Sequence, residues 1–222
     1  MTSCILTTPY FRLASQTRNA ELEFCLAQNL KNQNIDKIIL LTDTKITDKI
    51  ILENPKIIIK NTKCRPTYQN AISVANHYKK KLYSRIKTIL LICNSDIYFK
   101  DDDILDIDNR LTRKNAITLS RWNHIEPESN LDSVPTFELY EHWDSQDTWV
   151  FLNYIKRGYY DFEFGIPGCD NRFAYELNKV GYTLINPAKT IKSRHLHLTN
   201  IRMYSETSPR IPEPYLYVSV TE

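Results

Sequence analysis

The chain has 222 residues, 42% hydrophobic and 25% charged, a composition that fits folded globular proteins and excludes disordered, collagen-like and membrane-embedded classes. Lysine and arginine total 29 against 26 aspartate and glutamate, and this formal charge of +3 is dispersed, so it does not suggest a nucleic-acid surface but leaves room for a modest anionic ligand. Five widely spaced cysteines (Cys4, Cys25, Cys64, Cys93, Cys169) form no CxxC pair, which speaks against a disulfide framework or zinc ribbon and for a reducing compartment. No apolar run reaches membrane-spanning length and no basic-then-apolar leader opens the chain, so the expected location is cytoplasmic, in the producing or host cell.

The first half alternates buried-strand and amphipathic-helix patterns. A weak strand at Cys4 to Thr7 precedes a helical face of Leu22, Cys25, Leu26 and Leu30. Continuous β-branched runs at Ile38 to Leu41, Ile57 to Ile59 and Ile89 to Cys93 have the character of strands covered on both faces. Between the last two, Ala71, Val74, Ala75, Tyr78 and Leu82 share a helix face, with Thr67 as N-cap and Lys79, Lys80 and Lys81 at the end where cations favour the dipole. This order predicts an α/β fold with a mixed, mostly parallel central sheet flanked by helices, and a nucleotide-sized crevice at the strand C-terminal ends.

The second half reads differently. The acidic run Asp101, Asp102, Asp103, Asp106, Asp108 lacks the glycine and terminal glutamate of a calcium loop and reads as a solvated segment. Strand patterns return at Ala116 to Leu119 and Trp149 to Leu152, aromatic residues crowd from Trp122 to Phe164, and a helix is expected from Asp170 to Val180 with Gly181 as its stop. A strand at Tyr182 to Ile185, a polar stretch from Lys192 to Thr199 and an extended, proline-bearing tail from Ser208 to Pro214 complete the chain. Only four glycines occur, where roughly 7% is usual. Three of them, Gly158, Gly165 and Gly168, fall within eleven residues.

Three constellations carry candidate chemistry. Asn94-Ser95-Asp96 follows the Ile89 to Cys93 strand, where Asp96 is placed to hold Mg²⁺ or Mn²⁺ with diphosphate oxygens, although these are also ordinary turn formers. His195 and His197, two apart in an extended segment, project from one face toward a common ion; solvent-facing histidines are the competing reading. Arg194 adds positive charge suited to a diphosphate. Gly165 to Asn171 combines glycines with proline, so that Gly168 lets a ligand approach backbone and Asp170, at a helix start, is aimed at the crevice as a general base or serves as a cap. Asp147, beside Trp149, is a competing acid. Asp43, Arg65 and Tyr68 stand at strand ends or helix starts within reach of a nucleotide.

Taken together, the α/β first half, Asn94-Ser95-Asp96-Ile97-Tyr98-Phe99, Pro167-Gly168-Cys169-Asp170-Asn171 and His195-x-His197 resemble GT-A-fold glycosyltransferases of the bacterial and large-DNA-virus type, related to family 2, over roughly residues 3 to 200. The resemblance implies one domain over 1–222: a nucleotide-binding half to about residue 100, an acceptor-side half to about 200, and a tail over 201–222. It implies a strand-end Asp-x-Asp motif that binds Mn²⁺ or Mg²⁺ and the donor diphosphate; here Asn94 replaces the first acid. Thr8, Pro9, Asp43, Arg65, Tyr68, Asn94, Ser95, Gly168 and Arg194 would contact the donor, a UDP-sugar or similar. Asp96 with His195 or His197 would hold the metal, and Asp170 or Asp147 would be the base in an inverting transfer to a glycan hydroxyl. A sugar-nucleotide nucleotidyltransferase would show a glycine-rich signature near the first strand, and Cys4 to Arg18 contains no glycine. A noncatalytic glycan- or protein-binding domain with a degenerate site is the third reading.

Overall fold

A computed structural model describes residues 2–11, 13–125, 136–199, 201 and 209–221. In chain order the elements are β1 (Ser3–Pro9), α1 (Gln16–Lys31), β2 (Lys37–Thr42), α2 (Lys49–Glu53), β3 (Ile57–Asn61), α3 (Tyr68–Tyr83), β4 (Thr88–Cys93), β5 (Ile97–Tyr98), α4 (Asp101–Arg110), β6 (Asn115–Leu119), β7 (Arg121–His124), β8 (Phe137–Leu139), β9 (Thr148–Leu152), α5 (Cys169–Lys179), β10 (Thr183–Ile185) and β11 (Ser193–His195). A seven-stranded sheet runs β10-β6-β9-β4-β1-β2-β3, and a four-stranded sheet runs β5-β11-β7-β8. All neighbours in the large sheet pair parallel except β9, which is antiparallel to β4 and β6. The fold is therefore α/β with a mixed, mostly parallel central sheet, as its uninterrupted strand hydrophobicity predicts.

Period-2 alternation divides the core between the two faces of the large sheet. Ile5, Ile39, Leu41, Leu90 and Ile92 pack with Tyr68, Ala71 and Ala75 of α3 and Phe173, Ala174 and Leu177 of α5. Their neighbours Cys4, Leu6, Ile38, Leu40, Ile89 and Leu91 pack with Leu26 of α1 and Ile104 and Ile107 of α4. Thr67 caps α3 in a reciprocal box with Asn70, while Leu82 at the far end of the helix is 40% exposed. α5 ends in a Schellman arrangement, with Gly181 at φ 85 and Tyr182 N–H bonded to Leu177 C=O at 3.1 Å.

The acidic run is a correction. It forms α4, whose Ile104 and Ile107 are core residues and whose buried Asp103 accepts from Arg194 and from the Lys192 N–H at 3.0 Å. Tail residues 209–221 run over the start of α5: Ile211 N–H bonds Pro167 C=O, Leu216 N–H bonds Asn171 C=O, and Val218 N–H bonds Trp143 C=O. Ser208, where the tail is expected to begin, lies outside the described residues.

Gly168 caps α5 with φ 85, and a Cβ there would lie 2.5 Å from Tyr215 Oη and 3.1 Å from Ile211 O. The missing side chain thus makes room for the tail, and Gly168 lies at the cleft wall as well. Gly168→Ala is expected to cost about 1–2 kcal/mol from the left-handed backbone alone, lowering the melting temperature and exposing the tail to protease. An unchanged melting temperature and cleavage pattern would show that the tail is not seated on this residue.

Candidate active site

The strand topology gathers polar residues at one edge of the large sheet. Parallel β1 and β4 point their C-terminal ends the same way, and antiparallel β9 brings its beginning to that end, pairing Thr148 with Cys93. Asn94 and Asp147 therefore face each other just beyond the paired strands, with Asn94 N–H bonded to Asp147 C=O at 3.2 Å. In the small sheet, β11 lies between β5 and β7, so His195 sits opposite Ile97 on one side and Asn123 on the other. The result is a cleft of about 600 Å³ whose wall includes Pro9, Arg65, Asn94, Ser95, Asp96, Asp147, Gly168, Asp170, His195 and His197.

Asp96 is the most engaged carboxylate. Its Oδ2 lies 2.5 Å from Arg18 Nη2 and 3.2 Å from His195 Nε2, while the buried Oδ1 has no hydrogen-bond partner among the described residues. Burial pushes the Asp96 carboxyl up, but the His195 imidazole and the Arg18 guanidinium outweigh it and hold the group well below the usual carboxylate range. Arg18 is itself buried and also pairs with Glu21 at 2.5 Å and donates to Leu196 O at 3.0 Å. Glu21 in turn accepts from the backbone N–H groups of Leu198 and Thr199 at 3.0 and 2.9 Å. Helix α1 thus holds the histidine-bearing segment in place.

Hydrogen bonds set the tautomers of both histidines. Asn123 Oδ1 accepts from Arg121 Nε and meets His195 Nδ1, both at 3.0 Å; two donors on one oxygen fix the amide and put the His195 proton on Nδ1. His195 Nε2 then faces Asp96 Oδ2, an arrangement that calls for a proton or a metal ion between them. His197 Nε2 donates to Ile201 O at 3.1 Å, which leaves its Nδ1 with a lone pair. Burial, then the charge of Arg18, keeps His197 below its ordinary value, favouring the neutral imidazole. One ligand atom from each of Asp96, His195 and His197 lies within 4.8 Å of the others. With the orphaned Asp96 Oδ1 and a mixed oxygen and nitrogen donor set, these residues fit a divalent cation.

Across the cleft, Asp170 accepts from Tyr68 Oη at 3.1 Å and from Cys169 Sγ at 3.5 Å. Tyr68 is buried and stacked on Phe164 with centroids 4.1 Å apart, so it holds Asp170 from within the core rather than facing a nucleotide. Burial, then the like charge of Asp147, push the Asp170 carboxyl up to about 7, against the lowering hydrogen bonds of Tyr68 and Cys169. Asp147 is pinned by Asn94 Nδ2 at 2.7 Å and by Arg121 Nη1 at 3.2 Å. Asn94 therefore supplies a donor where a second carboxylate would meet Asp147 with repulsion.

Several expected donor contacts are elsewhere. Arg194 alternates away from His195 along β11 and pairs with Asp103, lining a separate groove with Tyr98 and Lys31. Thr8 is buried with its hydroxyl on Pro9 O, and Asp43 is exposed; neither lines the cleft. Arg65 does, with its guanidinium on Phe164 O and over the Phe11 ring at 5.0 Å. Arg18, Glu21, Arg121 and Asn123 were missed. Arg18 had a signal: it falls on the buried helical stripe of Leu22 and Cys25, where an unpaired cation is costly.

No family model matches the chain, and no curated protein matches it by sequence. Solved structures similar in shape include a 4-diphosphocytidyl-2C-methyl-D-erythritol synthase at 12% identity, covering 93% of this chain and 95% of that one with a TM-score of 0.47. A putative glucose-1-phosphate thymidylyltransferase from Bacillus anthracis, in complex with a sucrose, matches at 10% identity over 84% and 87% of the chains, TM-score 0.45. Staphylococcus aureus TarS 1-349 in complex with UDP-GlcNAc matches at 13% identity over 61% of this chain and 37% of that one, TM-score 0.35. At these values the likeness says nothing about the reaction. Among the described residues no helix is long and apolar enough to cross a membrane.

The Asp147 charge is one of the two leading causes holding Asp170 near neutrality. Asp147→Asn should move the Asp170 titration, followed by carboxyl ¹³C NMR, to a lower pH than in the wild type. An unmoved titration would show that Asp147 does not govern this carboxyl.

Proposed function

We propose that the protein is a GT-A-type glycosyltransferase that takes a nucleotide-diphosphate sugar, a UDP-sugar first among candidates, and transfers its sugar to a glycan hydroxyl with inversion. The observation that carries this reading is the presence, in one cleft at the strand C-terminal ends, of the Asp96, His195 and His197 cluster and of Asp170 with a titration near neutrality. Such a pairing of opposite carboxyl environments suits a low-titrating anchor and a high-titrating base.

Asp96, His195 and His197 would hold a divalent ion. The imidazole nitrogens suit Mn²⁺ better than Mg²⁺, which prefers an all-oxygen shell. Bound there, the ion would supply positive charge to the donor diphosphate. Asp170, as the carboxylate, takes the proton from the acceptor hydroxyl while that oxygen forms its bond to the anomeric carbon. The bond from that carbon to the diphosphate oxygen breaks, and its electron pair leaves with the nucleoside diphosphate. Tyr68 fixes the direction of Asp170, and Arg65 at the cleft wall adds positive charge for the donor. Asp147, committed to Asn94 and Arg121, positions the base's surroundings.

The nucleotidyltransferase reading lacks its glycine-rich loop, since Cys4 to Arg18 has no glycine. The noncatalytic reading rested on Asn94, whose amide has a task here in holding Asp147.

A panel of nucleotide sugars scored for donor hydrolysis and for transfer to oligosaccharides tests the proposal. Wild-type protein should turn over at least one donor, and Asp170→Asn should bind it with unchanged affinity while losing about 10²–10⁴ in rate. Its rate in the wild type should rise with pH through about 7, as the base loses its proton. Unimpaired turnover by Asp170→Asn would remove the base assignment; pyrophosphate-dependent exchange in place of transfer would favour the nucleotidyltransferase.

A further inference from the structure

The loop between β8 and β9 carries an exposed aromatic side chain on a fixed backbone. The Trp143 carbonyl accepts from Gln146 Nε2 at 2.9 Å and from Val218 N–H at 3.1 Å, and Gln146 is fully buried. At the start of the loop, Tyr140 N–H bonds Arg121 O at 3.0 Å and the Arg121 guanidinium lies 4.7 Å from the Tyr140 ring centre. The loop is thus tied to the sheet and to the tail, yet the Trp143 side chain is 58% exposed. The other two tryptophans differ: Trp149 is buried in the core, and Trp122 is half-buried with its Nε1 on Ala188 O.

Trp143 does not stand alone. Tyr140 and His142 stack with ring centroids 4.3 Å apart, and His142 lies 6.4 Å from Trp143. The ladder is continuous with the cleft, because Tyr140, Asp144 and Ser145 line its wall. Tyr217, next to the residue whose N–H meets Trp143, is 51% exposed. Carboxylates alternate with the rings, since Glu141 and Asp144 are both exposed.

Exposed rings interleaved with carboxylates have the chemistry of carbohydrate recognition: the ring faces cover the C–H face of a pyranose while the carboxylates accept its hydroxyls. Acidic neighbours also make the ridge unsuited to an anionic membrane or a nucleic acid. We infer that Trp143, braced by His142 where it stacks on Tyr140, is a sugar-stacking platform that binds a glycan running out of the cleft. Naming that glycan as the acceptor rests on the transferase reading; its binding to the ridge does not. The enzyme would accordingly extend an oligosaccharide rather than modify a monosaccharide or small alcohol.

The test is calorimetric titration with mono- and hexasaccharides of glucose, mannose and N-acetylglucosamine. At least one hexasaccharide should bind the wild type about tenfold tighter than its monosaccharide, the size of one ring contact. Trp143→Ala should lose that advantage and Trp143→Phe should keep part of it, while UDP binding measured by calorimetry stays unchanged in both. Equal hexasaccharide binding by Trp143→Ala, or no preference for any hexasaccharide over its monosaccharide, would overturn the inference. So would a wild-type dimer in sedimentation that Trp143→Ala dissolves, which would make the ridge a protein contact. Hexasaccharide binding through Trp143 in a protein that binds no nucleotide would uphold the platform and sink the transferase.

Discussion

The ion pair between Arg18 and Asp96 organises the cleft. Arg18 reaches from the first turn of α1 and Asp96 from the loop after β4, so the pair ties a helix to the edge of the central sheet. Through Glu21 the same helix holds the backbone at Leu198 and Thr199. Breaking such a buried pair by removing one partner ordinarily costs about 3–5 kcal/mol, because a charge is left without compensation. His195 and then Arg18 favour the ionised form of Asp96 against the effect of burial, and its Oδ1 has no hydrogen-bond partner among the described residues. The Arg18 guanidinium thus ties α1 to the sheet edge while engaging only one of the two carboxylate oxygens.

From that corner a chain of contacts crosses the cleft floor. It runs from Asp96 to His195, Asn123, Arg121 and Asp147, and from there to Asn94. Asp170 stands beyond it, where burial and the Asp147 charge favour its protonated form. The two ends of one cleft therefore present opposite proton affinities. That difference arises from burial and charge placement rather than from residue type, since both groups are aspartates.

Much of this was legible in the sequence. The seven strands of the large sheet and helices α1, α3 and α5 declare themselves through uninterrupted or 3.6-periodic apolar residues, and Asp96, His195, His197 and Asp170 stood out by position. What escaped has physical reasons. Helix α4 hides behind five aspartates because Ile104 and Ile107 are its only buried apolar residues. Strands β7 and β11 carry Arg121, Asn123, Arg194 and His195, so no hydrophobic alternation marks them. Arg194 was expected at a diphosphate because it adjoins His195, yet the alternation that aligns His195 with His197 turns Arg194 to the opposite face. The glycine cluster was read as ligand space, whereas the Gly168 vacancy is taken by Tyr215 from a tail 47 residues further along the chain.

The proposed role of Asp96, anchoring a divalent ion together with a nucleoside diphosphate, can be read by calorimetric titration of UDP into wild type and Asp96→Asn, with Mn²⁺ and with chelator, folding being checked by circular dichroism. Mn²⁺ should tighten UDP binding to the wild type by about tenfold or more, equivalent to about 1.4 kcal/mol, and do nothing for the folded variant. Equal UDP affinity with Mn²⁺ and with chelator, or equal metal enhancement in both proteins, would contradict it.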